Sequence, residues 1–487
     1  MSPGRAPRLL PRAVRCLATT AVLACGDTTS PPAAARIDVE PPFVVLSVGG
    51  QTQLVARALD GAGDQVAGIS VRYESDDTSI ASVTPTGLAT GVAPGTTSIL
   101  ISGGGASARV PVRVGGTPAT IDVSPAVLSL RQGQALQLSV TVRDSQGNPV
   151  PDELVTYSTS DASVATVSVT GLVTGIGPGP ASITVAAAPA LRAVPASVFG
   201  RPTGTSVSAV PLGDRPYGVA VSPAGVVYVS RLDAAALSRA DLPATVFSTT
   251  AAVGAVPTDV AFDPTGTTAY VTNQFSASLG IVDVATNTQV DAIPLNGDPF
   301  RVVVSPNGQR LYVTTNANNL LVIDRASKAV LVEYLLGAAS SGLAFHPNGV
   351  LLYGTTIDGL VYEINTVTDS ARGLLTTGLL QDIAVSLDGS ELYIASQTGP
   401  MEVRNAVTGM LITTVTAATG AFDLALSPDG AHLYAGIVLS GPVHVLDRAT
   451  RTVIRSVVVS DPRRMAFDRY GTTAVVADQT GAVHFIR

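Results

Sequence analysis

The chain has 487 residues, a formal net charge of −7 and only 13% charged residues, while Gly (47) and Pro (33) are abundant. That length exceeds one compact core, so two to four domains are expected. The acidic balance, with Lys328 as the one lysine and no basic stripe, disfavours nucleic acid as a partner.

The first 15 residues, "MSPGRAPRLLPRAVR", carry four arginines and no acid, and "CLATTAVLA" follows as a short apolar run. Basic segment, apolar segment and small residue in that order read as an export signal over 1–24; so short a run cannot span a bilayer. The stretch "VLAC" (22–25) resembles the lipobox of bacterial lipoproteins. That resemblance implies acylation of Cys25, and "GDTTSPPAAA" then reads as part of a polar tether over 25–36. The expected place is the bacterial envelope, lipid-anchored, periplasmic or surface-facing. Loss of the leader takes the net charge to −11. Cys16 and Cys25 are the two cysteines, so the folded part has neither a disulfide nor a thiolate metal site.

Beyond the leader, short alternating runs bounded by Gly, Pro, Asn and Asp replace any 3.6-residue apolar period, which makes the chain all-β. Two segments, 37–115 and 118–198, repeat one pattern at an offset of 84. "VRYESDDTSIASV" (71–83) matches "VTYSTSDASVATV" (155–167), and "GLATGVAPGTTSI" (87–99) matches "GLVTGIGPGPASI" (171–183). Each copy offers about seven strands, as a two-sheet sandwich requires, with Tyr73 and Tyr157 expected as core aromatics bridging the sheets. These residues resemble the bacterial Ig-like domains of group 2, which implies spacer or stalk modules. Asp76, Asp77 and Asp161 read as turn caps.

From 204 to 487 another unit recurs. Its turn glycines, Gly225, Gly266, Gly308, Gly349, Gly389, Gly430 and Gly471, stand 40 to 42 residues apart. Four β runs per period of about 41 residues predict propeller blades. In "FRVVVSPNGQRLYVTTN" (300–316) the inner strand, the turn and the second strand are visible. The units resemble the YVTN family of β-propeller repeats, and "YVTN" itself stands at 270–273. The seventh unit ends at Arg487 without a fourth strand, so "TSVSAVPL" (205–212) is expected to complete it and close the ring. The expected fold is two Ig-like sandwiches followed by a seven-bladed propeller.

No catalytic motif, paired catalytic carboxylate or metal spacing stands out, and no metal or cofactor is expected. His346 reads as a turn residue, His432 as exposed, and His444 and His484 as tolerant third-strand positions. Asp241, Asp283, Asp324, Asn365, Asn405 and Asp447 read as turn formers. One constellation remains. Seven residues before each turn glycine stand Gly218, Asp259, Arg301, Gly342, Asp382, Asp423 and Arg464, predicted to ring one mouth of the central channel. Either Asp259, Arg301, Asp382, Asp423 and Arg464 pair across blades to hold the ring, or they fix a small polar or anionic ligand, with Tyr217, Phe300 and Phe422 as an apolar wall. The expectation is a monomeric envelope binding protein whose Ig-like stalk presents a propeller to a protein, glycan or small ligand. A lactonase- or lyase-like propeller enzyme is the alternative.

Overall fold

The computed structural model describes residues 33–147, 149–150, 154–204, 207–439 and 441–487. The leader, with Cys16 and Cys25, lies outside them. Of the described residues, those of 33–119 and 143–153 form one compact unit and those of 120–142 and 154–487 the other.

The first sandwich has a four-stranded sheet in the order Val44–Ser47, Ala106–Gly115, Gly95–Gly103, Arg72–Ser75. Facing it are Gln51–Gln53, Leu88–Gly91 and Ala81–Val83, with Arg36–Glu40 paired to Val55–Leu59. Nine short strands thus stand where about seven were expected, because breaks at Gly50 and Leu54 divide one run. Alternation sets the core: Val110, Val112 and Val114 point inward beside Ile99 and Ile101, and the residues between them face out. The second sandwich repeats this order with Leu128–Arg131, Ala190–Phe199, Gly179–Ala187 and Thr156–Thr159.

Tyr73 and Tyr157 are half-buried; Tyr73 packs against the core and reaches the facing strands, its hydroxyl donating to the Leu54 carbonyl at 3.4 Å. Each ring covers a left-handed glycine: a Cβ on Gly171 (φ +82°) would stand 2.8 Å from the Tyr157 ring. Of the acids, Asp77 and Asp161 do cap turns, accepting from the Ser79 and Ser163 backbone N–H, whereas Asp76 pairs with Arg109.

Seven four-stranded antiparallel sheets follow. Blades 1 to 6 span 216–252, 257–294, 299–335, 340–376, 380–415 and 421–457. Blade 7 takes three strands from 462–486, and Val207–Pro211 pairs antiparallel with Ala482–Ile486 as its outer strand. Each inner strand packs on the next, and the last packs on the first, so the ring is closed.

The blade-to-blade cores explain the recurring tyrosine. Tyr228, Tyr270, Tyr312, Tyr353, Tyr393 and Tyr434 sit on second strands and pack into the following blade. Tyr228 stacks on Phe262 at 5.3 Å, and Tyr434 meets Phe467 edge-on at 4.9 Å. Blade 7 has Val475 at this position, and its junction with blade 1 is filled by Phe485 and Phe247. Burial of each such ring contributes about 2–3 kcal/mol. No blade could hide both faces alone, which is why the repeat closes on itself.

The second sandwich is seated on the propeller through the turns that follow the inner strands. Phe199 contacts Tyr470 at 6.1 Å, and the Gly200 N–H donates to the Tyr470 carbonyl at 2.8 Å. Arg201 pairs with Asp429 at 2.5 Å.

Candidate functional site

The inner strands run from the channel mouth to those turns. Arg301 is the third residue of Pro299–Val304, and Gly308 marks the turn beyond the strand's end. The ring position therefore lies at the end of the channel opposite the docked sandwich.

Each inner strand is bulged at this point: the pairing register shifts between Pro216 and Val219, Pro257 and Asp259, Pro299 and Arg301, and at the equivalent place in the other four. A bulge frees a residue from the ladder and re-aims its side chain. In blades 1 to 3 a hydroxyl takes over the ladder's role, Ser230, Thr272 and Thr314 accepting from the N–H groups of Gly218, Asp259 and Arg301.

The five charged ring residues come together. Arg301 reaches Asp382 at 3.2 Å and Asp259 at 3.7 Å; Arg464 reaches Asp423 at 2.8 Å and Asp382 at 3.8 Å. Every acid also accepts a backbone N–H from the next blade, Asp259 from Val302 (3.1 Å), Asp382 from Leu424 (3.0 Å) and Asp423 from Met465 (2.8 Å); Asp382 and Asp423 use their second oxygen for it, Asp259 the oxygen that faces Arg301. The two glycine positions have no room for a side chain; a Cβ on Gly342 would stand 2.6 Å from the Asp382 Cα. Asp382, Asp423 and Arg464 are 1%, 3% and 2% exposed, so their charges interact through protein rather than water. Burial, and then the neighbouring Asp382 carboxylate, pushes Asp423 up to about 7 against the pull of Arg464 and Arg301. Burial alone would lower Arg464; Asp423, Asp382 and Asp259 outweigh it and raise it.

The freed bulge residues sit toward the mouth. Tyr217 meets Phe300 and Phe422 edge-on, each at 6.2 Å. The Arg463 guanidinium lies 4.9 Å from the Phe422 ring centre and 5.8 Å from that of Tyr217, with an ion pair to Asp461 at 2.9 Å. The expected apolar wall is thus an interlocked aromatic cluster drawn from blades 1, 3 and 6. Sequence reasoning passed over Arg463, although it occupies the bulge position of Tyr217, Phe300 and Phe422. The Nε atoms of Arg301, Arg463 and Arg464 are buried with no hydrogen-bond acceptor among the described residues. The mouth therefore sets the partly accessible Arg463 guanidinium beside flat apolar rings, a combination that suits a small polar ligand with a hydrophobic face.

The remaining expected positions lie apart. His346 holds its own turn through Asn348 and reaches the Gly389 carbonyl of the next blade at 3.1 Å. His444 bonds Ser456, and buried His484 bonds Asp478. His432 is half-buried, not exposed, because the Arg201 segment approaches it. Asp283, Asp324, Asn365, Asn405 and Asp447 cap turns; Asp241 differs, pairing with Arg239 at 2.9 Å. Among the described residues no three His, Cys, Asp or Glu side chains stand together as a metal would require.

Comparison with known proteins adds the following. Residues 33–107 and 119–190 each match the bacterial Ig-like domain (group 2) family. Ice-binding protein 1 of Shewanella frigidimarina is 34% identical over 152 residues, covering 30% of this chain and 17% of that protein. The uncharacterized protein YwhL of Bacillus subtilis is 26% identical over 199 residues, covering 38% of this chain and 42% of that protein. The chain thus spans less than half the length of either curated relative. A hydrazine synthase chain from Kuenenia stuttgartiensis aligns over 57% of this chain and 96% of its own with a TM-score of 0.53. At 18% identity that likeness concerns the fold alone.

Proposed function

We propose that this is a binding protein of the bacterial envelope: a lipid on Cys25 holds it to a membrane, the Ig-like domains act as spacer, and a propeller of YVTN-type repeats takes a ligand at its mouth. The observation that carries this is the mouth's position. It opens on the face away from the docked sandwich, and it is where the Arg463 guanidinium and the Tyr217–Phe300–Phe422 cluster meet. The two bacterial Ig-like domains, and a relative named for ice binding, support an exported, surface-facing protein. The geometry favours binding over the lactonase- or lyase-like alternative, since each ring carboxylate is already held by a guanidinium and a backbone N–H.

The test has two arms. Cys25→Ser should move the protein from the membrane to the soluble envelope fraction; equal partitioning of both forms ends the anchoring reading. In the second arm, the chain from residue 26 onward is screened by thermal shift against uronic acids, amino acids and short glycans. A hit is expected to vanish in Arg463→Ala and persist in Arg448→Ala, which lies on the turn face. No hit, or hits indifferent to Arg463, would remove the mouth as the site.

A further inference from the structure

A second site, independent of the mouth, is built where the ring closes. The segment Arg201–Gly204, which leads into the closing strand, borders a cavity of about 410 Å³ against blade 6. That volume lies within the range of small-molecule sites. Its floor follows from strand register. Tyr434 pairs with Val445, and Val445 with Arg455, so the three side chains share one face of the sheet; His432, two residues before Tyr434, joins them. Ile454 adds apolar surface beside Val445.

The polar groups around this cavity are unevenly matched. Arg201 is taken up by Asp429, whose carboxylate is 1% exposed. Arg455 has no carboxylate within ion-pair distance among the described residues, and its Nη1 lies over Gly204, where an added Cβ would stand 2.5 Å away. His432 Nδ1 is buried without a hydrogen-bond partner among the described residues. The charged groups facing His432 are Arg201, Arg455, Asp429 and Asp447. Burial first, then Arg201, lowers its pKa, so the imidazole is neutral at pH 7 and free to offer one N–H. Asp447 is occupied in capping the Thr450 turn. What is unfilled is one guanidinium fork, in a cavity that the neutral imidazole and an aliphatic wall also line.

We propose that this cavity binds a small organic carboxylate, one whose oxygens meet the Arg455 fork and the His432 ring while its short apolar body lies on Val445 and Ile454. A carboxylate matches a planar guanidinium in two parallel bonds. Bound there, it joins blade 6 to the segment that enters the closing strand, so occupancy fastens the ring at its seam.

The probe is propionate, with propionamide as its uncharged isostere, titrated into the chain from residue 26 onward at constant ionic strength. With four histidines in the chain, nitrogen-labelled imidazoles report individually. Propionate should shift the His432 resonances saturably and raise its pKa, leaving His444 unmoved, while propionamide does neither. Arg455→Gln should weaken binding by about tenfold or more, as the loss of a charge-assisted pair demands. Arg455 is exposed and has no ion-pair partner among the described residues, so the variant's melting temperature without ligand should match the parent, and Arg455→Lys should recover part of the affinity. A His432 signal that does not respond, an equal response to propionamide, or undiminished binding by Arg455→Gln would each overturn the proposal.

Discussion

Asp423 shows how one side chain can serve two blades. One oxygen bonds the Arg464 guanidinium, the other the Met465 N–H, and Asp382 crowds it from the adjacent blade. Held up to about 7 in the folded state against roughly 3.9 unfolded, it binds its proton more tightly when folded. Its contribution to stability is therefore complete below about pH 4 and is lost as pH climbs toward 7. His432 and His444, lowered by burial, act in the opposite direction as pH falls through about 6.5, so the raw profile mixes the two. Asp423→Asn isolates the term: melting curves from pH 4.5 to 7.5 should show the variant gaining on the parent as pH rises. Parallel curves would refute it. The ring position itself was legible, because aligned turn glycines bring Asp259, Arg301, Asp382, Asp423 and Arg464 into register. That they pair across blades was one of the two readings; which acid meets which guanidinium, and the backbone N–H groups the acids also hold, were not visible. Pairing depends on a bulge, and a bulge leaves no mark in a period-2 pattern; Arg463 escaped notice for the same reason.

At the scale of elements, the strand Val207–Pro211 does for blade 7 what a contiguous fourth strand does for the others. Ser208 stands opposite Phe485 and Val210 opposite Val483, so the segment covers a strand edge that would otherwise be free. Ser208→Pro with Val210→Pro removes two N–H groups from this ladder, at about 1–3 kcal/mol for each buried group left unpaired. The same double change in the outer strand Thr249–Ala252, at Thr249 and Ala251, whose N–H groups face the third strand as that of Val253 does, perturbs a blade whose four strands are continuous in sequence. The melting temperature should fall further for the 208/210 pair, since it alone ties the ring's two ends. An equal fall in both would mean that closure adds nothing. The blades were readable because each needs a glycine with positive φ at one turn, as Gly308 at +71°. The sandwich strands were less so: breaks at Gly50 and Leu54 raise the strand number of the first copy to nine, against the seven or so that its runs suggested.

For the whole molecule, the seating of the second sandwich decides which end of the propeller is available. Phe199 packs on Tyr470, Gly200 bonds to backbone on two turns, and Arg201 neutralises a nearly inaccessible Asp429. Gly471 lets this happen, since a Cβ there would stand 2.3 Å from the Gly200 carbonyl oxygen. None of this is visible in sequence: Tyr470 and Asp429 lie in turns whose local chemistry already explains them. An aromatic pair adds about 0.5–1.5 kcal/mol beyond its buried area, and an isolated exposed ion pair less than about 1 kcal/mol. Asp429 is different because it is buried; it keeps bonds from Ser427 and the Ala431 N–H but has no other cation among the described residues. Residues 120–204 and the propeller should therefore melt as one cooperative transition in calorimetry of the chain from residue 26 onward. Arg201→Ala with Tyr470→Ala removes the guanidinium and the ring while leaving both cores intact. The shared transition should then split in two, the propeller's component keeping most of its enthalpy. A single unchanged peak would mean that the sandwich is held by something other than these contacts, and that the direction in which the mouth is presented is not set by them.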